Sequence, residues 1–292
     1  MMRIAILQPE IPHYREEFFA LLKERCEAVD LYVYNSARSS EGKGFHIGKN
    51  EQAYITNKQL GGFLFYNPAV LLKGKYDTLV LMWHFAHVTT WLLLLTKFIH
   101  RKKIILWGQG ISVKRYLNEE KKPNLLLKWM MFLADGGWVY MKKECEQWQK
   151  IFPNKPLVAL NNTLTGVDEM VEKNPNLAKE ELREKYGIKE QVVLLFCARF
   201  TNPYRRTDLL VEAIERLDKK RYGFVIIGDG CYKPDFAKYE NVYDVGSVYD
   251  MNVKGELFAL SDLYFQPGWV GLSIVEAMAF GKPICTFKRD DE

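Results

Sequence analysis

The sequence lacks the paired cysteines that mark metal centres and redox sites. Its five cysteines are odd in number, lie far apart and include no C-x-x-C spacing. We therefore expect them to be reduced and buried in a cytosolic protein; they are Cys26, Cys145, Cys197, Cys231 and Cys285.

A signal peptide and a long basic tract are also missing. The N-terminus has an apolar run of only four residues before Gln8-Pro9-Glu10, which predicts a first strand and no export signal. The net charge of +5 comes from scattered basic residues, so we expect no nucleic-acid partner. A small anionic molecule or a membrane surface stays open as a partner.

The common catalytic motifs are absent as well. Neither "GDGCYK" nor "GQGISV" supplies the third glycine of G-x-G-x-x-G, which argues against an NAD or FAD site. The sequence contains no P-loop, H-E-x-x-H or G-x-S-x-G. It contains no D-x-D and no evident ligand cluster for a divalent ion. We therefore predict no bound metal and no cofactor.

Apolar strands alternate with amphipathic helices along both halves of the chain. A stretch rich in Asn, Thr, Gly and Pro, 161–176, interrupts this alternation and predicts a domain boundary. Such alternation is typical of parallel sheets covered on both faces. The length favours two domains. We predict an α/β fold of two Rossmann-like domains, 1–165 and 166–292.

One apolar stretch, Leu79–Phe98, is about long enough to span a membrane. We favour a buried strand followed by a buried helix, because His84, His87 and Lys97 interrupt the stretch. The alternative is a helix within "TTWLLLLTKFIHRKK" whose basic end rests on an anionic membrane surface.

In an open α/β sheet, ligands bind beyond the carboxyl ends of the strands. In the second half, a cluster of arginines and glycines follows the predicted strands. Guanidinium groups there could meet a phosphate held by backbone N–H groups, although they could equally form a solvated loop. The residues concerned are Arg199, Arg205, Arg206, Gly228, Gly230 and Gly246.

The stretch "PGWVGLSIVEAMAFGKPI", 267–284, reads as a glycine-rich turn followed by a short helix. One interpretation is a capping box, with Ser273 as the N-cap and Glu276 three residues later. The other is an anion site made by the backbone N–H groups of Gly271, Leu272 and Ser273.

Four segments of the second half resemble, in order, the donor domain of retaining GT-B glycosyltransferases of the family 4 type. They are "ARFTNPYRRTDLLVEAI", "FVIIGDG", "NVYDVGSVYDMNVKGELFALSDLYFQPG" and "GLSIVEAMAFGKPI". The resemblance implies the GT-B fold, in which two Rossmann-like domains face a central cleft. It also implies a nucleotide-diphosphate sugar as donor substrate.

The resemblance assigns roles to individual residues. Glu276 would bind the ribose hydroxyls, and Arg199 and Arg205 would balance the diphosphate, with Arg205 falling on the family's lysine. Backbone groups of Gly271 to Ser273 would add to the phosphate contacts. The full predicted donor set is Arg199, Arg205, Arg206, Gly228, Gly230, Gly246, Gly268, Val270, Gly271, Leu272, Ser273 and Glu276.

The sequence departs from the family pattern at two points. The first of the two family glutamates is replaced by Gly268, so a backbone group of 268–270 would take its place at the sugar. The chain also stops at "TFKRDDE", soon after the strand that follows the signature helix, which we interpret as a truncation.

The first half resembles the acceptor domain less specifically. The loop "QPEIPHYREEFF" is similar to the first turn and helix of bacterial members, which would make His13, Tyr14 and Arg15 acceptor-side residues. Gln109 follows a strand where many members carry a histidine. His84 and His87 could take a proton or orient an acceptor, or be structural. Our predicted catalytic set is Arg205, Glu276, His84 and Gln109, with His87 on the acceptor side.

These observations predict a cytoplasmic glycosyltransferase and leave peripheral contact with the inner face of the membrane open. It would transfer a sugar to a carbohydrate or lipid-linked acceptor, with retention and without a metal, in bacterial surface polysaccharide synthesis. Two alternatives remain open: a non-catalytic nucleotide-sugar-binding protein and a nucleotide-sugar isomerase of the same fold.

Overall fold

The computed structural model describes residues 2–36, 51–111, 124–161, 164–173 and 178–287. Contacts between Cα atoms divide the chain into two compact units, Met1–Thr165 and Gly166–Glu292. Both units are α/β with all-parallel main sheets, which confirms the predicted fold class.

The first unit contains a seven-stranded parallel sheet in the order β3-β2-β1-β6-β7-β8-β9. An antiparallel hairpin, β4-β5, stands apart from it. The strands are β1 Arg3–Gln8, β2 Ala28–Val33, β3 Ala53–Tyr54, β4 Asn57–Leu60, β5 Phe63–Tyr66, β6 Thr78–Met82, β7 Lys103–Trp107, β8 Gly136–Val139 and β9 Leu157–Ala159. The helices are α1 Glu16–Arg25, α2 Ala69–Leu72, α3 Val88–Leu95, α4 Lys97–His100, α5 Leu125–Leu133 and α6 Lys142–Ile151, with a 3-10 turn at His13–Arg15.

The central strands of this sheet are apolar on both sides because a core covers each face. Along β1, Ala5 and Leu7 belong to one cluster, while Ile4 and Ile6 belong to the other. Phe19 of α1 is fully buried in the second cluster. Alternate side chains of a strand point to opposite faces, so one apolar run serves both cores.

The stretch Leu79–Phe98 forms the end of β6 followed by α3 and part of α4. This confirms a strand followed by a helix. The expectation that the helix is buried was only partly right, since Leu93 and Leu94 are buried but Leu92 and Leu95 are exposed. Among the described residues, no helix is long and apolar enough to cross a membrane.

The second unit contains a five-stranded parallel sheet in the order β12-β11-β10-β13-β14. Its strands are β10 Val192–Cys197, β11 Tyr222–Ile227, β12 Val242–Gly246, β13 Leu263–Gln266 and β14 Ile284–Thr286. Its helices are α7 Val167–Lys173, α8 Lys179–Lys185, α9 Thr207–Arg216, α10 Met251–Leu260 and α11 Ser273–Ala279, with a 3-10 turn at Pro203–Arg205.

The cysteines are free, as expected, but not all are buried. Cys197, at the end of the central strand β10, is buried, whereas Cys231 and Cys285 are exposed. Cys231 lies in the loop after β11, and Cys285 lies in the edge strand β14. Neither is covered on both sides as the central strand β10 is, which is why their burial was predicted wrongly.

Candidate functional site

The strand order of the second unit creates a switch point between β10 and β13. These neighbours pair in parallel, and their chain connections leave in opposite directions along the sheet. Ligands of open α/β sheets bind beyond the carboxyl ends of the strands at such a point. Arg199 follows β10 and Gly268 follows β13, so the predicted site residues begin at this edge.

Gly268 packs directly against the backbone of the arginine-containing turn. A Cβ atom at position 268 would lie 2.3 Å from the carbonyl carbon of Arg205 and 2.5 Å from the Tyr204 oxygen. The N–H group of Trp269 donates to the Tyr204 oxygen at 2.7 Å. A glutamate therefore cannot stand at position 268 in this backbone, which gives the departure from the family pattern a steric cause. Val270 continues this half-buried loop.

Arg205 is held beside the glycine-rich turn. Its guanidinium donates to the Trp269 carbonyl oxygen, and a Cβ at Gly271 would lie 3.2 Å from both of its terminal nitrogens. Burial lowers the pKa of Arg205, and the nearby charge of Arg199 lowers it further. Its Nε atom is buried and has no hydrogen-bond partner among the residues that the structure describes. A partly buried cation with an unused, buried donor atom is suited to an anionic ligand.

Glu276 does not form the capping box that was one interpretation of the sequence. The N-cap of α11 is Leu272, without a side-chain capping bond. The Ser273 hydroxyl instead donates to the Cys197 carbonyl oxygen at 2.6 Å. The Glu276 carboxylate turns to Lys254 on α10, with 2.5 Å between Oε1 and Nζ. The capping alternative is therefore wrong.

The second carboxylate oxygen of Glu276 is unused. Oε2 is buried, and no described residue hydrogen-bonds to it. Burial raises the pKa of the Glu276 carboxyl, while the charge and the hydrogen bond of Lys254 act in the opposite direction. Burial also lowers the pKa of Lys254, but Cys197 and Glu276 raise it by more. Glu276 therefore keeps one acceptor oxygen beyond its contact with Lys254.

Lys254 is the site residue that sequence reasoning missed. Its helix is nearly uniform in polarity around its axis, so no pattern singled the residue out. The available signal was a lysine between apolar residues in "NVKGELFAL", because a lysine on a packed helix needs a partner for its charge.

The glycines after β11 and β12 have backbone reasons to be glycine. A Cβ at Gly228 would lie 1.9 Å from the Ala198 oxygen, and one at Gly230 would lie 2.5 Å from the Phe200 oxygen. Gly228, Gly230 and Gly246 all adopt positive φ, which favours glycine. Their predicted contacts to a donor stay predictions.

Arg206 differs from Arg205 in its surroundings. Its guanidinium donates three hydrogen bonds to the Asp208 carboxylate, at 2.8, 2.9 and 3.0 Å, and both side chains are exposed. This local pair at the start of α9 raises the pKa of Arg206 through the Asp208 hydrogen bond. The described contacts thus turn Arg206 to the protein surface.

At the carboxyl edge of the first sheet, Arg15 lies among aromatic rings. Its guanidinium carbon is 4.8 Å from the Trp107 ring centroid and 5.4 Å from that of Tyr140. Its Nη1 donates to Gln8 Oε1 at 3.4 Å. The predicted acceptor-side residue Tyr14 also contacts Arg15, at 5.6 Å, and stacks edge-on against His13.

His84 and His87 lie together after β6, with ring centroids 4.9 Å apart. Burial lowers the pKa of His84. Burial, aided by the charge of His84, lowers the pKa of His87 to about 4. His87 also packs edge-on against Tyr34 at 5.5 Å. Gln109 follows β7 and is half-buried. In the part of the chain that the structure describes, no three or more His, Cys, Asp or Glu residues could hold a metal ion.

Residues 191–291 match the family model Glycosyl transferases group 1. The match lies within the second unit and includes the site residues Arg199, Arg205, Lys254, Gly268, Gly271 and Glu276. This supports a glycosyltransferase. No curated protein sequence matches the chain.

Three solved structures illustrate the likeness of the whole chain to known proteins. A glycosyltransferase from Rickettsia africae ESF-5 aligns with a TM-score of 0.58 and 17% identity over 98% of this chain and 79% of that chain. WaaG, a glycosyltransferase involved in lipopolysaccharide biosynthesis, aligns with a TM-score of 0.56 and 14% identity over 97% of this chain and 80% of that chain. The UDP-GlcNAc 2-epimerase from Methanocaldococcus jannaschii aligns with a TM-score of 0.54 and 14% identity over 98% of this chain and 83% of that chain.

The fold is GT-B. At these identities the likeness shows the fold alone, because one fold hosts several activities.

Proposed function

We propose that this GT-B protein is a glycosyltransferase whose second unit binds a nucleotide-diphosphate sugar. The observation that carries the proposal is the presence of two buried, unused polar atoms in the segments that follow β10 and β13. Arg205 Nε and Glu276 Oε2 are both buried without a partner among the described residues. Such atoms are costly unless a ligand completes them.

The donor diphosphate meets the cations of this cluster. Arg205 supplies its free Nε and Lys254 its ammonium group, and Arg199 adds positive charge near Arg205. The backbone N–H groups at the start of α11, from Gly271 to Ser273, complete the phosphate contacts. The partly buried cations of this cluster, Arg205 and Lys254, outnumber its one carboxylate, Glu276, which leaves positive charge for a diphosphate.

Glu276 Oε2 accepts a hydrogen bond from a ribose hydroxyl. Lys254 holds Oε1, and this keeps the carboxylate ionised and fixed in orientation. A hydroxyl donor suits an unused carboxylate oxygen, whereas a second anion there would be repelled. The sugar lies against the backbone of 268–270, because no side chain fits at Gly268.

The reaction needs a stabilised leaving group more than a protein nucleophile. The bond between the anomeric carbon and the diphosphate oxygen breaks, and the acceptor hydroxyl oxygen bonds to that carbon. The hydroxyl proton leaves with the diphosphate. Fixed cations stabilise the charge that develops on the leaving group, so transfer with retention and without a metal is the form we propose.

The first unit holds the acceptor, which we propose to be a carbohydrate or a lipid-linked carbohydrate. Arg15, Tyr14 and His13 offer aromatic faces and a guanidinium for a sugar ring. His84 and Gln109 are the polar groups of the first unit that we propose for the acceptor hydroxyl. The low pKa of His87 keeps it neutral, so it orients an acceptor rather than donating a proton. The setting is polysaccharide assembly at the cytoplasmic face of a bacterial membrane.

A nucleotide-sugar isomerase is the second candidate, supported by the likeness to a UDP-GlcNAc 2-epimerase and by Gly268 in place of a glutamate. A non-catalytic nucleotide-sugar-binding protein is the third. All three would use the same Arg205, Lys254 and Glu276 cluster, and they differ only in the product.

Product analysis separates the three. The chain is incubated with UDP-, GDP- and dTDP-linked sugars, with and without membrane lipid and polysaccharide fractions, and followed by phosphorus and proton NMR. A transferase releases the nucleoside diphosphate and forms a new glycoside only with acceptor. Conversion of the donor to another nucleotide sugar without acceptor would identify an isomerase, and binding without any product would identify the third candidate.

A further inference from the structure

Three helices on one side of the first unit expose an apolar surface that the nucleotide site does not use. We call it the outer apolar face and define it by Leu95, Phe98, Ile99, Leu125, Trp129 and Phe132. These side chains range from 52% exposed for Trp129 to 78% for Phe98. Large apolar side chains exposed together mark an interaction surface.

The helices α3, α4 and α5 present these residues on one surface. The inner residues of α3 and α5, such as Leu93 and Met130, pack into the same core cluster. The residues that point away from this core therefore share one outer side. Lys97 of α4 fixes the arrangement, because its ammonium donates to the Leu133 carbonyl oxygen at 3.1 Å and pairs with Asp135 at 2.7 Å.

The helix α5 is apolar on its outside as well as its inside. Leu127, Met130 and Met131 are buried, while Leu125, Leu126, Trp129 and Phe132 are exposed. A surface helix of a water-exposed domain normally has a polar outer side. Trp129 and Phe132 contact each other edge to face, with ring centroids 5.8 Å apart, and such aromatic side chains are typical of the membrane interface.

The described charges on the helices of this face are basic. The segments 88–103 and 124–134 contain no aspartate or glutamate, and their accessible basic residues are Arg101, Lys103 and Lys128. Lys102 is buried against backbone carbonyl groups, and Lys97 is paired with Asp135. Exposed apolar side chains with basic residues on the same segments match an anionic lipid surface. A second copy of the chain would instead bring basic rims together, since a two-fold interface places the same patch on both sides.

We infer that the outer apolar face docks the protein on an anionic membrane surface, with the aromatic residues inserted at the level of the lipid headgroups. The inference is independent of the nucleotide site, because no residue of the second unit contributes to it. It also gives a physical reason for a lipid-linked acceptor, since the protein would sit where such a molecule is anchored.

Vesicle sedimentation of the full chain tests this inference. The probes are phosphatidylcholine vesicles with and without phosphatidylglycerol. The variant Phe98→Ser/Trp129→Ser removes two anchors, and Leu60→Ser/Phe63→Ser serves as the matched control. Those control residues lie on the β4-β5 hairpin and are 62% and 49% exposed. Arg101→Glu/Lys103→Glu tests the charge.

We expect the unaltered chain to bind the anionic vesicles and to bind the neutral ones more weakly. The anchor variant and the charge-reversal variant should each bind about tenfold more weakly, which corresponds to about 1.4 kcal/mol, and the control should bind unchanged. The tryptophan emission should shift to the blue with anionic vesicles, and Trp129→Phe should lose part of that shift.

Three results would overturn the inference. The first is absence of vesicle binding by the unaltered chain. The second is equal binding by the anchor and control variants. The third is a dimer in solution that the anchor variant converts to a monomer, which would make a second copy the occupant. Nucleotide binding by the anchor variant is measured in parallel and shows whether this variant is folded. Because the nucleotide site lies in the second unit, the proposed function can hold even if the membrane inference fails.

Discussion

The Lys254 ammonium lies 2.5 Å from Glu276 Oε1 and joins α10 to α11 beneath the carboxyl edge of the second sheet. The partner oxygen, Oε2, is buried and receives no hydrogen bond from the described residues. One carboxylate oxygen thus contacts Lys254, and the other is left for a ligand. The contribution of this pair to stability and its contribution to binding can therefore be tested by different substitutions.

Removal of one member of the pair should destabilise the second unit. Lys254→Met leaves a buried carboxylate without its cation, and we expect the free energy of unfolding to fall by about 3 kcal/mol in urea denaturation. Lys254→Met/Glu276→Gln should recover most of this loss. The matched control is Lys173→Met, which breaks the exposed pair with Glu169 and should leave the free energy of unfolding almost unchanged. Equal effects of the two lysine changes would contradict the account.

Gly268 should tolerate no side chain. Gly268→Ala places a Cβ 2.3 Å from the Arg205 carbonyl carbon, so the backbone must move at a cost of about 1–3 kcal/mol. The displaced Arg205 should also bind nucleotide more weakly. Gly74→Ala is the control, because nothing lies within 4 Å of that position. Chemical denaturation of both variants measures the difference, and a Gly268→Ala protein as stable as the Gly74→Ala protein would show that the packing is wrong.

His87 should make the first unit less stable in acid. Its pKa is lowered to about 4 by burial and by the charge of His84, so the unfolded chain takes up a proton first as the pH falls. The stability is present above the ordinary histidine pKa of about 6.5 and is lost as the pH falls towards 4. Between pH 7 and pH 5 the loss should be about 2 kcal/mol. Urea unfolding of His87→Asn at pH 7 and pH 5 should show a fall in unfolding free energy that is smaller than that of the unaltered chain by this amount. An equal fall in both proteins would refute the assignment.

Glu144 should make the first unit less stable as the pH rises, which is opposite to the effect of His87. Burial raises its pKa to about 7, although the N–H groups of Met141 and Tyr140 donate to its carboxylate. The native state therefore holds the proton, and the stability present below the ordinary pKa is lost as the pH rises through 7. From pH 5 to pH 8 the contribution of Glu144 should fall by about 2.5 kcal/mol. Comparison with Glu144→Gln isolates this effect from that of His87. A variant with the same pH dependence as the unaltered chain would contradict it.

The alternation of apolar strands with amphipathic helices predicted the main sheets, because the central strands are buried on both faces. The segments "RIAILQ" and "VVLLFC" therefore read clearly as β1 and β10. The β4-β5 hairpin and α7 were missed. The β4 strand is mostly exposed and polar, so no hydrophobic pattern marks it. The helix α7 lies within the stretch 161–176 that was interpreted as a boundary.

The arginine and glycine positions of the site followed from the rule for carboxyl ends of strands, and Arg205 and Gly271 do lie together. The partner of Glu276 did not follow. Lys254 is 22 residues away on another helix, so only the packing of α10 against the site brings the two charges together. The steric reason for Gly268 likewise depends on a contact with 204–205 that no local pattern encodes.

The most direct test of the nucleotide site is calorimetric titration of UDP, GDP, ADP and dTDP into the full chain. The variants are Arg205→Gln, Glu276→Gln and, as a control, Arg216→Gln, which alters an exposed pair with Glu212. We predict that a nucleoside diphosphate binds, that each site variant weakens it at least tenfold, about 1.4 kcal/mol, and that the control does not. Failure of all four to bind, or binding unchanged by both site variants, would contradict the central claim.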